Sequence, residues 1–181
     1  MELFNPGLFA DQLLIQRHSG LNHQHFQNCD DYLQLLISQE SSQLLKSHYF
    51  HKRFENIEIS EPKNRSLDLI IDESLTVASS ILKTEPDDLN IKYWFNLMQP
   101  GHITDWHSHD DLDELLSGVV YLVVPENSGE LLFKTQPETR LAVVEGLYIF
   151  FDPAMRHAVS KNLSESYRLS IGMNFGRYSI S

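Results

Sequence analysis

Cysteine is almost missing from this chain: Cys29 is the single one among 181 residues. One thiol closes no intramolecular disulfide, so the fold rests on its own core and a reducing compartment is compatible. Positive charge is scarce as well. Fourteen Lys and Arg stand against 25 Asp and Glu, a formal charge of −11. That balance disfavours a nucleic-acid backbone as the main partner, because phosphate needs a basic footprint and Lys52-Arg53 is too short to make one. No run approaches the ~20 apolar residues of a membrane helix. The start, Met1-Glu2-Leu3-Phe4-Asn5-Pro6, has no basic stretch followed by an apolar core. The expectation is a cytoplasmic protein that partners neither membrane nor nucleic acid.

What is present is ordinary for a soluble globular protein, with 41% hydrophobic and 22% charged residues. A chain of this length fits one domain and buries roughly 70% of its unfolded surface. The sequence divides into a supporting helical segment, residues 1–90, and a β-rich core, residues 91–178, within a single domain 1–181.

In the first part, residues 8–16 suit a strand leading into a loop with His18, His23 and His25. Asn28 resembles a helix cap, with Asp30 and Asp31 in the first turn, where carboxylates favour the positive helix end. A helix over residues 30–46 follows, with Leu33, Leu36, Ile37, Leu44 and Leu45 on one side. Ile57-Glu58-Ile59 alternates and suggests a short strand. His48 and His51 have helical metal-pair spacing but no carboxylate motif nearby, and read as surface histidines. A second helix is capped by Asn64 or Ser66. Its stripe is Leu67, Ile71, Leu75, Ala78, Ile81 and Leu82, before Pro86 forbids continuation.

After Asn90 short extended segments succeed one another: residues 91–98, 115–124, 130–134, 140–144, 147–151, 156–160 and 167–175. Pro100-Gly101 and Asn127-Ser128-Gly129 supply turns between them. Seven short strands in about 85 residues predict an antiparallel sandwich or double-stranded β-helix, a jelly-roll relative. The fold class is therefore α+β, mainly β, with N-terminal helices packed on one sheet.

Chemistry concentrates in Trp106-His107-Ser108-His109-Asp110-Asp111. On a strand end His107 and His109 project from one face, and His157 is the natural third ligand from another apolar-flanked segment. Imidazole with carboxylate suits iron, zinc, copper or nickel, and open positions on such a site mark non-haem iron oxygenases. His23-Gln24-His25 repeats the bare spacing, so spacing alone decides little. The final strand is more telling. Tyr167, Leu169, Ile171, Met173 and Phe175 form an apolar face, while Arg168, Ser170, Gly172 and Asn174 form a polar one. If that polar face lines a cleft, Arg168 is a fixed cation able to hold a ligand carboxylate.

These residues carry a resemblance. Residues 94–175 resemble the 2-oxoglutarate/Fe(II)-dependent dioxygenase superfamily, and most of all its small prolyl-hydroxylase-like members. Gly101 stands six residues before His107, and Ser117-Gly118-Val119-Val120-Tyr121-Leu122 is similar to the family's next strand. Ser128-Gly129-Glu130-Leu131 and Gly146-Leu147-Tyr148-Ile149-Phe150-Phe151 follow in order, then His157 and Arg168. The resemblance implies Fe(II) and 2-oxoglutarate as cofactors. It implies Arg168 and Tyr121 as holders of the far carboxylate, molecular oxygen as co-substrate, and a small-molecule or peptidyl substrate of a hydroxylase. The family usually supplies two histidines and one carboxylate. Here the metal set is either His107, His109 and His157, favoured by the Gly101 spacing, or one in which Asp111 replaces a histidine. Trp94, Trp106 and Phe150 are candidate apolar walls.

Two other classes compete. Gly101, His107, His109 and Glu114 follow the cupin spacing Gly-x5-His-x-His-x4-Glu, which implies a three-His dioxygenase or isomerase without 2-oxoglutarate. A non-enzymatic metal-dependent sensor or binding module on the same fold is the third.

Overall fold

The computed structural model describes residues 13–109 and 113–177. The chain runs through β1 (Leu14–His18), α1 (His23–Ser38), β2 (Leu44–Phe50), β3 (Arg53–Ile59) and α2 (Arg65–Leu82). A 3-10 turn at Pro86–Asp88 leads into β4 (Leu89–Met98), β5 (Thr104–His107), β6 (Glu114–Val123) and β7 (Leu131–Phe133). The chain continues with β8 (Thr139–Leu141), β9 (Leu147–Phe151), β10 (His157–Val159) and β11 (Arg168–Arg177). The strands form a seven-stranded sheet in the order β1-β9-β6-β11-β4-β3-β2 and a four-stranded sheet in the order β5-β10-β7-β8. Every pairing is antiparallel. This is the expected double-stranded β-helix, with helices on the outer face of the larger sheet. No helix among the described residues is long and apolar enough to cross a membrane.

Side-chain parity places the two apolar layers. On β11, Leu169, Ile171, Met173 and Phe175 are buried with Phe26, Leu33, Leu67 and Ile70 of the helices. Tyr121, Phe133, Ile149 and Phe151 fill a second cluster between the sheets. The period of two therefore turns the polar side of β11 into the interior of the sandwich.

α2 matches its sequence signals. The Asn64 side chain accepts from the Leu67 N–H at 2.9 Å, a cap worth about 1 kcal/mol, and the left-handed Lys83 ends the helix.

α1 lies earlier than expected: it starts after Asn22, not near Asn28, and stops at Ser38. Asp30 is not a first-turn carboxylate but a buried side chain that accepts from the Tyr167 hydroxyl at 2.7 Å. Glu40 takes φ of 48° and closes the helix, so Leu44-Leu45-Lys46 belong to strand β2. His18 sits on β1, and His23 and His25 on the first turn of α1, rather than in one loop. The first 90 residues thus supply three strands to the larger sheet as well as both helices.

Candidate metal centre

His157 opens β10, and its register partner across the minor sheet is His107 at the end of β5. Antiparallel pairing at that position brings the two rings to 4.2 Å between centroids. His109 lies beyond the strand end, where its backbone N–H donates to the Pro153 carbonyl at 2.9 Å. That bond ties the loop to the segment entering β10 and leaves the His109 ring 5.0 Å from His107 and 5.1 Å from His157. One nitrogen from each of the three rings lies within 4.8 Å of the others. A divalent ion that bonds imidazole nitrogen at about 2.1 Å can draw such a set together.

The neighbours of the rings set which nitrogen is available. His107 Nδ1 donates to the Asp105 carbonyl at 2.8 Å, and His157 Nδ1 donates to the Met155 carbonyl at 3.0 Å. Both rings therefore carry a proton on Nδ1, which leaves Nε2 as the nitrogen that could take a metal, the usual support for a ligating histidine. Burial pushes the His157 pKa down to about 3, with His107 and then His109 adding to the effect and the Met155 carbonyl opposing it. His157 is thus neutral and ligand-ready at neutral pH.

The expected Asp111 lies outside the described residues. Glu114, the acid of the cupin spacing, does not join the cluster; its Oε1 accepts from Asn174 Nδ2 at 2.6 Å at the head of β6. His23 and His25 stay apart from it too: they contact Glu145 and Asn22, because neighbours two apart on a helix do not share a face.

The second feature is a buried cation. Arg168 is 1% exposed, and none of the ion pairs among the described residues includes it. Its Nη1 donates to the Gly129 carbonyl at 2.9 Å, and its Nε has no partner among the described residues. The guanidinium sits 4.8 Å from the centre of the Tyr121 ring. The Tyr121 hydroxyl, fully buried, also finds no hydrogen-bond partner there. Burial pushes the Tyr121 pKa up to about 12 against the pull of Arg168, and burial lowers the Arg168 pKa against the opposing effect of Tyr121. Gly129 is required for this arrangement: its φ is +98°, and a side chain there would collide with the Ser160 carbonyl.

The histidines, Arg168 and Tyr121 line one small cavity of about 60 Å³. Trp94 forms a wall, as expected. Phe150 does not; it points to the helix side, 6.0 Å from Phe175. Asn96 and Thr104 also line the cavity. The alternation of Trp94, Asn96 and Met98 on β4 was the signal for Asn96. Arg53 is a further residue that sequence reasoning missed. Its Nη2 donates to Glu55, the Ile103 carbonyl and the Thr104 hydroxyl, each at 2.9 Å, bolting β3 to the strand that carries His107.

Gly172 gives a direct test of packing around the cavity. A Cβ on Gly172 would lie 2.7 Å from the Trp94 ring. Gly172→Ala is expected to destabilise the fold by about 1–3 kcal/mol, as overpacking does, and to shift the tryptophan emission. Urea unfolding followed by fluorescence measures both, and an unchanged midpoint and spectrum would contradict the packing described.

Comparison with solved structures bears on the fold. A prolyl-4-hydroxylase from Pseudomonas putida superposes with a TM-score of 0.73 at 18% identity, covering 93% of this chain and 95% of that one. The fold is that of the 2-oxoglutarate/Fe(II) oxygenases. A viral collagen prolyl hydroxylase from Paramecium bursaria Chlorella virus-1 gives a TM-score of 0.66 at 19% identity, covering 96% of this chain and 95% of that one. EvdO2 from Micromonospora carbonacea var. aurantiaca, solved with 2-oxoglutarate, gives 0.63 at 12% identity, covering 94% and 88%. No sequence family and no curated protein matches the chain.

Proposed function

We propose that this protein is a non-haem Fe(II), 2-oxoglutarate-dependent oxygenase, a hydroxylase of a small-molecule or peptidyl substrate. The observation that carries the reading is Arg168: a guanidinium 1% exposed, without a carboxylate partner among the described residues, in the same cavity as three converging imidazoles. An unpaired buried charge is costly, and a dianionic ligand bridging cation and metal would offset that cost. The solved neighbours supply the matching chemistry, since one of them holds 2-oxoglutarate.

In this reading His107, His109 and His157 hold the iron through Nε2 of the two rings fixed at Nδ1 and one nitrogen of His109. Arg168 and the Tyr121 hydroxyl take the distal carboxylate of 2-oxoglutarate. The iron, when bound, supplies coordination of 2-oxoglutarate and activation of oxygen. The overall change is R–H plus oxygen plus 2-oxoglutarate to R–OH, succinate and carbon dioxide. One oxygen atom enters the C–H bond, the other enters succinate, and 2-oxoglutarate is the two-electron reductant. The chain's own part is to fix the donors, orient the co-substrate along the β11 face, and keep water from the enclosed end of the cavity.

Anaerobic titration of Fe(II) with and without 2-oxoglutarate tests this. A visible metal-to-ligand charge-transfer band is expected only with both, together with substrate-independent succinate formation on admitting oxygen. Absence of the band with iron bound would favour the cupin or sensor alternatives. The ligand set has its own test. Asp111→Ala is expected to retain stoichiometric metal and His107→Ala to lose it, as read by calorimetry with Ni(II). The reverse pattern would assign the site to His109, Asp111 and His157.

A further inference from the structure

A second cleft adjoins the metal cluster on the outer side. It is lined by Phe50, Trp94, Trp106, Glu55, Asn56 and Asp105 together with His107 and His109, and has a volume of about 320 Å³. Trp94, Asn96, Thr104, His107 and His109 line both cavities. The two cavities therefore meet at the histidines, and Arg168 lines only the inner one.

Its chemistry is one-sided. Among the described residues no Lys or Arg lines it, while three aromatic rings, two carboxylates and the imidazoles of His48, His107 and His109 do. Glu55 is half of a buried pair with Arg53, side chains 13% and 5% exposed, so it adds orientation but no net charge. Asp105 differs: its side chain is 66% exposed, and its partner His51, at 2.7 Å, is charged only when protonated. Asp105 is thus the exposed carboxylate of this lining without a guanidinium partner, on a chain whose formal charge is −11. Aromatic faces attract cations through their quadrupole, most strongly tryptophan.

Resting on the oxygenase reading for the reaction itself, we propose that this cleft selects a substrate by a cationic side chain, an alkylammonium or guanidinium on an apolar stem. The stem lies along Trp94 and Trp106, the cation meets Asp105 and the aromatic faces, and a stem or neighbouring C–H is thereby presented to the metal. A carboxylate is disfavoured at the position beside Asp105.

The test uses uncharged-ended pentapeptides with glycine around one central residue: lysine, arginine, norleucine, glutamate or proline. Binding is read by tryptophan fluorescence on Ni(II)-loaded protein with N-oxalylglycine, so it does not depend on turnover. The lysine and arginine peptides are expected to bind about 10-fold more tightly than norleucine, with the advantage shrinking as salt is raised. Free lysine, run in parallel, separates an amino acid from a peptidyl residue as the source of the cation. Asp105→Asn is expected to remove most of the lysine-over-norleucine ratio, and Asp105→Lys to invert it toward glutamate. Equal binding of lysine and norleucine, tighter binding of proline than lysine, or an unchanged ratio in Asp105→Asn would overturn the proposal. If the charge-transfer band fails while the lysine preference and its loss in Asp105→Asn are seen, the oxygenase reading falls and the cation-selective cleft stands.

Discussion

Replacing His157 with alanine is expected to abolish stoichiometric Fe(II) or Ni(II) binding while leaving a cooperatively folded protein. His157 is 6% exposed and packs 4.7 Å from Phe151 between ring centroids, so the truncation leaves a small void costing about 1–3 kcal/mol. That loss is separable from the metal effect. The ring is held with Nδ1 on the Met155 carbonyl, and burial keeps it neutral, so binding at neutral pH need not displace a proton from it. Without it two imidazoles remain, His107 and His109, both partly exposed. Loss of a neighbour that merely orients a ligand costs 10- to 100-fold in metal affinity; loss of the ligand itself is expected to exceed ~100-fold. Calorimetry on metal-free protein, with thermal unfolding as the control for folding, reads the two effects apart. Unchanged affinity in a folded His157→Ala protein would remove His157 from the site.

The parts of the fold that were legible share a physical property: their two faces differ. β11 alternates apolar and polar over its length, and each face went where its chemistry required, Leu169 and Ile171 to the helices and Arg168 and Ser170 to the cavity. α2 carried cap, stripe and terminator together. Where both faces are alike, parity cannot be read. All five residues of β9 are apolar and buried, so nothing in Leu147-Tyr148-Ile149-Phe150-Phe151 distinguishes the inward Ile149 from the outward Phe150. α1 was displaced because Asp30 looked like a helix-start carboxylate, while its actual partner, Tyr167, is 137 residues away.

The site was legible as residue types and spacing, less so as geometry. β5 is four residues long and mostly polar, Thr104-Asp105-Trp106-His107, and it is a strand only because β10 pairs with it. The His107–His157 register therefore exists in tertiary structure alone. Arg53 was hidden for the same reason: its partners Ile103 and Thr104 lie 50 and 51 residues further along the chain. The outer cleft depends on the β2–β3 hairpin reaching β5, through His51 and Asp105, a contact with no local sequence signal.

Arg168→Ala is expected to weaken 2-oxoglutarate binding by ~10- to 100-fold while leaving metal affinity nearly unchanged. On an exposed strand an unpaired Arg contributes well under ~1 kcal/mol, and its loss would pass unnoticed. Here the guanidinium is buried, held at one nitrogen by the Gly129 carbonyl and stacked near Tyr121, with Nε unmatched among the described residues. Charge-assisted hydrogen bonds in such a place are worth roughly 1.5–3 kcal/mol each, which is the range of the affinity loss. The variant is also expected to bind neutral ligands of the inner cavity no worse, because removing an unpaired buried cation relieves its desolvation. Tyr121→Phe deletes one neutral donor and should weaken 2-oxoglutarate binding by less than Arg168→Ala. Calorimetry with N-oxalylglycine and Ni(II)-loaded protein ranks the three proteins. Equal affinity in wild type and Arg168→Ala would leave the fold in place and remove the carboxylate clamp, and with it the case for 2-oxoglutarate as the ligand that Arg168 awaits.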